Sequence, residues 1–157
     1  MEYNHGILSI KTASRKDIES LKENLRLEDA REIIAAGYDN PEMCLEHGFS
    51  HSTESYTVFI DGKACAMFGI VPRSLLGAEA VIWFLGSPEM SRIKKSFMKF
   101  SRLFVEKWKA VYPCLYNIVP RDYAKSLAWL RWLGVNVDKP IEYNGEGWQL
   151  MAFVRGV

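Results

Sequence analysis

The sequence predicts an α+β fold, with α/β/α layers around one mixed, mostly antiparallel sheet. Three observations carry this. Two β-type apolar runs meet at an Asp-Gly turn. A strand–helix–strand succession over residues 79–119 calls for a parallel pair. One long helix carries an unbroken apolar stripe.

The elements follow in chain order. "ILSIKT" (Ile7–Thr12) alternates apolar and polar residues and reads as a strand. In "SRKD", Ser14 is a helix cap and Asp17 reaches back to the first free N–H. Ile18, Leu21 and Leu25 then share a face, so residues 15–25 are expected to be helical. A second helix is expected over Glu28–Ala36, stopped by Gly37. A third covers Asn40–Phe49, opened by Pro41 and closed by Gly48. Tyr56–Ile60 and Ala64–Val71 are β-type runs joined by Asp61-Gly62, a pair that accepts positive φ. Glu79–Leu85 adds a strand after a turn around Ser74–Gly77.

Pro88–Ala110 is the longest helix. Met90, Ile93, Phe97, Phe100, Phe104 and Trp108 recur at spacings of three and four and face the core. The opposite face carries Arg92, Lys94, Lys95, Lys99, Arg102, Lys107 and Lys109. Cys114–Val119 is a short strand, and Arg121–Leu133 a helix ended by Gly134. "VNV" and Trp148–Val154 are the final strands, around the turn "NGEG". A right-handed crossover makes the strands at 79–85 and 114–119 parallel.

Bulk properties narrow the function classes. A length of 157 residues suits one domain, residues 1–157. With 48% apolar and 25% charged residues, the chain can build a core and is not of the disordered class. No apolar run is as long as a membrane span, and the N-terminus lacks a signal pattern, so a cytoplasmic location is expected. Cys44, Cys65 and Cys114 are an odd, scattered set and are expected to be reduced thiols. Residues 1–55 sum to −5 and residues 56–157 to +6, which suits an anionic ligand on the second half and a cationic one near the first. Cys44, His47 and His51 have a ligand-like spacing, but no fourth ligand is visible and no metal is expected. The basic helix has no recognisable base-reading element, and nucleic acid is not an expected partner.

The segments "TASRKDIESL", "VFIDGKACAMFGIV", "PEMSRIKKSF" and "SLAWLRWLGV", in that order, resemble the GNAT superfamily of acyl-CoA-dependent N-acyltransferases over nearly the whole chain. The resemblance implies acetyl-CoA as cofactor, an amine as acceptor, and a parallel strand pair that splays to admit the pantetheine arm. A narrower likeness lies in "VIWFLGSPEM…IKKSFMKF", "LYNIV" and "EYNGEGWQLMAFVRG". These look like a small protein of tailed bacteriophages, acetyltransferase-like or internal to the virion. That likeness implies a phage-encoded chain in the infected bacterial cytoplasm or the virion, with other phage proteins as partners. It leaves open a catalytically silent structural or assembly protein.

The superfamily's phosphate-binding turn, Gln/Arg-x-x-Gly-x-Gly/Ala, departs here. Counted from Ser91 its glycine positions hold Lys94 and Ser96; counted from Arg92 they hold Lys95 and Phe97. Without glycine a phosphate cannot lie close on the backbone, so Arg92, Lys94 and Lys95 would meet it by charge, or else form a solvated helix face. Gly86 suits a bulge where pairing ends, and a backbone N–H near Phe84–Leu85 suits an oxyanion donor. Asn117 either binds the arm or substrate or closes a local backbone bond. Counting back from Gly134, the closing helix offers Leu130, Ser126 and Tyr123. Leu130 cannot act as the family's acid, so Tyr123 is the best acid and Tyr116 the second. Glu79 or Asp122 is the expected base. Edge strands and the aromatics Trp129, Trp132 and Trp148, expected to be exposed, would permit a homodimer.

Overall fold

A computed structural model describes residues 2–73 and 77–154. Their strands are β1 (Tyr3–His5), β2 (Leu8–Thr12), β3 (Glu54–Ile60), β4 (Lys63–Pro72), β5 (Glu79–Gly86), β6 (Cys114–Pro120), β7 (Asn136–Tyr143) and β8 (Glu146–Val154). The helices are α1 (Arg15–Leu21), α2 (Leu27–Ala35), α3 (Pro41–His51), α4 (Lys94–Lys109) and α5 (Ala124–Trp132), with a 3-10 turn at Pro88–Ile93 leading into α4. The sheet order is β1-β2-β3-β4-β5-β6-β8-β7, and every neighbouring pair is antiparallel except β5 and β6. This is the layered, mixed α+β architecture expected from the sequence.

The pleat sorts side chains into two cores. Ala66, Phe68 and Ile70 of β4 join Phe100, Phe104 and Trp108 of α4 on one face. Met67 of β4 and Leu85 of β5 join Ile18, Leu21 and Leu45 of α1 and α3 on the other. The first face is rich in aromatic rings: Phe68 lies within 6.2 Å of the rings of Tyr56, Phe84, Phe100, Phe104 and Trp108. The predicted α4 stripe is the set of residues that packs there.

Local chemistry accounts for most boundaries. The Asp17 carboxylate accepts the Ser14 N–H at 2.8 Å and also the buried Thr57 hydroxyl at 2.8 Å, which ties the start of α1 to β3. Asp61-Gly62 and Asn144-Gly145 make two-residue turns at positive φ (50° and 78°, 50° and 75°).

Six expectations change. Pro88–Ile93, expected as the start of the long helix, is a 3-10 helix, so α4 starts at Lys94. α5 starts at Ala124 rather than Arg121. α1 stops at Leu21, where the chain turns to bring Arg26 N–H to the Gly86 carbonyl at 2.8 Å. α3 runs through Gly48 to His51, because this glycine serves packing: a Cβ there would lie 2.8 Å from the Trp83 ring. β7 extends well beyond "VNV" and through Pro140, which an edge strand tolerates. β1 is three residues long, too short for periodicity to reveal. The turn around Ser74–Gly77 lies mostly outside the described residues.

Candidate functional site

β5 and β6 pair over three positions only: Glu79 with Cys114, Ala80 with Leu115, and Val81 with Tyr116. Beyond these the strands part. β5 stays laddered to β4 as far as Gly86, and β6 stays laddered to β8 as far as Pro120. Each therefore has one unpaired edge facing the gap.

Both ends of the unpaired β5 edge are pinned. At the apex, Asn117 Nδ2 donates to the Ile82 carbonyl at 2.7 Å, while its Oδ1 accepts the Ile118 N–H at 2.7 Å. The side-chain amide thus stands in for a peptide unit between the diverging strands. At the open end, Asp29 Oδ2 accepts the Gly86 N–H at 2.8 Å, together with Arg26 Nη2 at 2.8 Å and Nε at 3.1 Å. Arg26 N–H returns a bond to the Gly86 carbonyl. Backbone groups along a strand alternate in direction. Since those of Ile82 and Gly86 face the gap, so do those of Phe84 between them.

A cavity of about 510 Å³ opens under α4 and α5 at this gap. Its floor is aromatic: Phe84 lies 5.3 Å from Phe97, and Phe97 lies 5.0 Å from Trp129, ring centre to ring centre. Its polar lining includes Arg26, Lys94, Asn117, Tyr123, Lys125 and Ser126. The Trp129 indole N–H is buried and has no hydrogen-bond partner among the described residues. A second cavity, about 880 Å³, lies between α2 and the β7–β8 hairpin. Its charged lining is Glu28, Glu32, Asp122 and Glu146 against Arg31. Glu28, Glu32 and Tyr123 line both cavities.

Burial sets the proton affinities here. It raises the Tyr123 phenol above its ordinary value, against the nearby charge of Arg26 and a hydrogen bond with Ser126. It raises the Asp29 carboxyl, which is 2% exposed, while Arg26 and the Gly86 N–H pull it back down. Glu32 is pushed up to about 8, first by burial and then by the charge of Asp29.

The predicted site residues divide. Phe84, Lys94, Asn117, Tyr123 and Ser126 line the first cavity. Asp122 lines the second. Glu79 is exposed at the laddered start of β5 and lines neither cavity. The Leu85 side chain packs in the opposite core, and as an alternate residue its backbone faces β4. Arg92 is ion-paired with Asp61 at 3.1 Å and Glu89 at 3.3 Å. Ser96 lies 3.3 Å from His5 Nδ1, and Lys95 is exposed; none of these three lines either cavity. Trp148, expected to be exposed, is 1% exposed, with its indole N–H donating to the Tyr143 carbonyl. Sequence reasoning missed Arg26, Asp29, Glu32 and Trp129. Only the acidic balance of the first half pointed toward the α2 carboxylates.

No helix among the described residues is long and apolar enough to cross a membrane, and no group of three or more metal-ligating side chains occurs among them. No protein-family model matches the sequence, and no curated protein matches it. Solved structures do. A GNAT-family acetyltransferase from Bacillus anthracis superposes with TM-score 0.69 at 11% identity, over 98% of each chain. The ribosomal L7/L12 alpha-N-protein acetyltransferase in complex with coenzyme A gives 0.67 at 11% identity, over 96% of this chain and 95% of that one. The Salmonella typhimurium protein yncA, solved with its cofactor acetyl-CoA, gives 0.67 at 15% identity, over 95% and 94%. At such identities the likeness is one of architecture: this chain has the fold of the GNAT acetyltransferases.

Proposed function

We propose that the chain is an acyltransferase that moves an acetyl group from acetyl-CoA to an amine. The supporting observation is the gap between β5 and β6, with its adjoining cavity. The gap suits a thin, amide-bearing chain. Phe84 turns one N–H and one carbonyl toward it, and the Trp129 indole N–H lacks a partner that such a chain could supply. Lys94 and Lys125 add positive charge to the lining. Close backbone contact with a phosphate is not available in the manner of a glycine turn, since a 3-10 turn leads into α4 and side chains occupy the glycine positions. Lys94 would hold the phosphate by charge instead.

When bound, acetyl-CoA supplies an activated acyl carbon. The Phe84 N–H is the backbone donor available to an oxygen in the gap. Tyr123, like any phenol, carries its proton at neutral pH, and burial raises its proton affinity further; it is the proton donor in the cavity that can face a departing sulfur. Ser126 lines the same cavity and works to lower the proton affinity of the phenol. The aromatic floor of the cavity limits water.

The test is titration calorimetry with acetyl-CoA, followed by assay of thiol release with primary amines. Saturable heat and amine-dependent thiol release are expected. No heat at high micromolar acetyl-CoA would remove this reading. The alternative is a silent GNAT-fold protein of phage assembly or the virion interior, favoured by the glycine-free phosphate turn. Mass spectrometry of purified particles tests it, and absence from particles and assembly intermediates would count against it.

A further inference from the structure

We propose that His47 and His51 form a two-imidazole site on the outer face of α3 for a divalent transition ion of the zinc, copper or nickel class. Neither histidine lines either cavity, and the site stands independently of the acyltransferase reading.

The ligand-like spacing of Cys44, His47 and His51 divides in the structure. Cys44 is half-buried and packs against the core of Ile18, Leu21, Ile33 and Leu45, so it is turned away from solvent. His47 and His51 are both exposed and stand one turn apart on α3. Their ring centres are 4.2 Å apart. Two histidines four residues apart on one helix face can close on a single ion.

The nitrogens are sorted for this. His51 Nδ1 lies 2.8 Å from the His47 carbonyl oxygen. A carbonyl only accepts, so Nδ1 carries the hydrogen and the lone pair of the neutral ring is on Nε2. His47 Nδ1 lies 2.8 Å from the Tyr38 hydroxyl. A phenol oxygen can accept, so a cation on Nε2 leaves Nδ1–H to donate to Tyr38. Neither Nε2 has a hydrogen-bond partner among the described residues. An oxygen on the far nitrogen of a ligand imidazole fixes its tautomer and its plane, and both rings have that support.

The donor set selects the ion. Neutral imidazole suits zinc, copper and nickel, whereas magnesium and calcium take oxygen ligands. The net charge of −5 on residues 1–55 favours a cation here. Gly48, Phe49 and Ser50 separate the histidines, so no carboxylate stands between them and the pair carries no hydrolytic base. The effect of the ion is structural. Tyr38 belongs to the connection between α2 and α3 and packs against the same core as Cys44. An ion on His47 commits its Nδ1–H to Tyr38 and so ties that connection to α3.

The experiment titrates the full chain, first freed of metal by a chelator, with zinc, copper(II), nickel and magnesium chlorides in calorimetry. One ion per chain is expected, with copper the tightest and no heat from magnesium. Imidazole ¹⁵N NMR with zinc should move Nε2 of His47 and His51 and leave His5, the third histidine, in place. His47→Gln and His51→Gln should each lower zinc affinity by about 10-fold or more, and Tyr38→Phe by about 10-fold. His5→Gln and Cys44→Ser should leave it within about 2-fold. Zinc should also slow amide exchange in the connection that holds Tyr38. Absence of zinc and copper heat at millimolar ion overturns the proposal. So does parent-like affinity in His47→Gln or His51→Gln, or a loss in Cys44→Ser as large as theirs. Parent-like affinity in Tyr38→Phe overturns the role given to Tyr38.

Discussion

Replacing Asp29 by alanine removes one oxygen that three donors share. Asp29 Oδ2 accepts from Gly86 N–H and from two nitrogens of Arg26, at 2.8–3.1 Å, and the residue is 2% exposed. Without it, Gly86 keeps a buried N–H with no partner, at a cost of about 1–3 kcal/mol. Arg26 keeps a guanidinium without its counter-charge. Breaking a buried pair from one side costs about 3–5 kcal/mol, but the Arg26 side chain is 28% exposed and recovers part of its hydration. The two losses overlap, because both follow from one oxygen, and together amount to roughly 3 kcal/mol. Asp29→Asn keeps an oxygen for Gly86 and loses only the charge, so it should cost about half as much. Equilibrium urea unfolding at pH 7 measures both. Amide exchange at Gly86 separates them: protection should fall in the alanine variant and persist in the asparagine variant. A loss below about 1 kcal/mol for Asp29→Ala would refute the argument. Equal loss of Gly86 protection in both variants would refute the division of roles.

Two further outcomes follow from other polar contacts. Asn117→Ala leaves the Ile82 carbonyl and the Ile118 N–H unpaired where the strands part, and should cost about 1–3 kcal/mol, read from the urea midpoint. Glu54 accepts from Lys107 at 2.7 Å and from the Trp108 indole at 2.6 Å. Burial works to raise its carboxyl, yet these donors together outweigh it and hold it below its ordinary 4.5. A carboxyl lowered by folding stabilises above its unfolded value, and that stabilisation is lost as pH falls through the folded one. Glu54→Gln should therefore lose stability at pH 7 and show a shallower decline below pH 4.5 in thermal melts.

Local signals in the sequence revealed local structure. The stripe from Met90 to Trp108, the Asp61-Gly62 turn and the strand–helix–strand succession each depend on neighbours within a few residues, and each reads correctly. The site depends on distant neighbours. Gly86 and Asp29 are 57 residues apart, and nothing near either residue announces the bond between them. The basic start of α4 shows the same limit in another form. Ser91, Lys94, Phe97 and Ser101 follow helical spacing and line the cavity, while Arg92, Lys95 and Ser96 point off that face. Composition shows that the region is basic, and only the helical phase shows which lysine is useful. Glu79 was assigned by strand, and the end of the strand at which the gap opens was not legible. The acidic balance of the first half was legible as charge, and its placement beside the gap was not.

The amide of Asn117 turns the parting of two strands into a fixed depth gauge. From Ile82 to Gly86 the slot spans four residue steps, or about 13 Å. An extended molecule that slides in until it touches bottom carries its tip to the same spot every time. Lengthening the tip cannot deepen the slot; it lifts everything behind it outward, away from Lys94. A family of extended chains graded by tail length would thus lose grip at the far, charged end first, and the slot would measure tails without touching more than their last atoms.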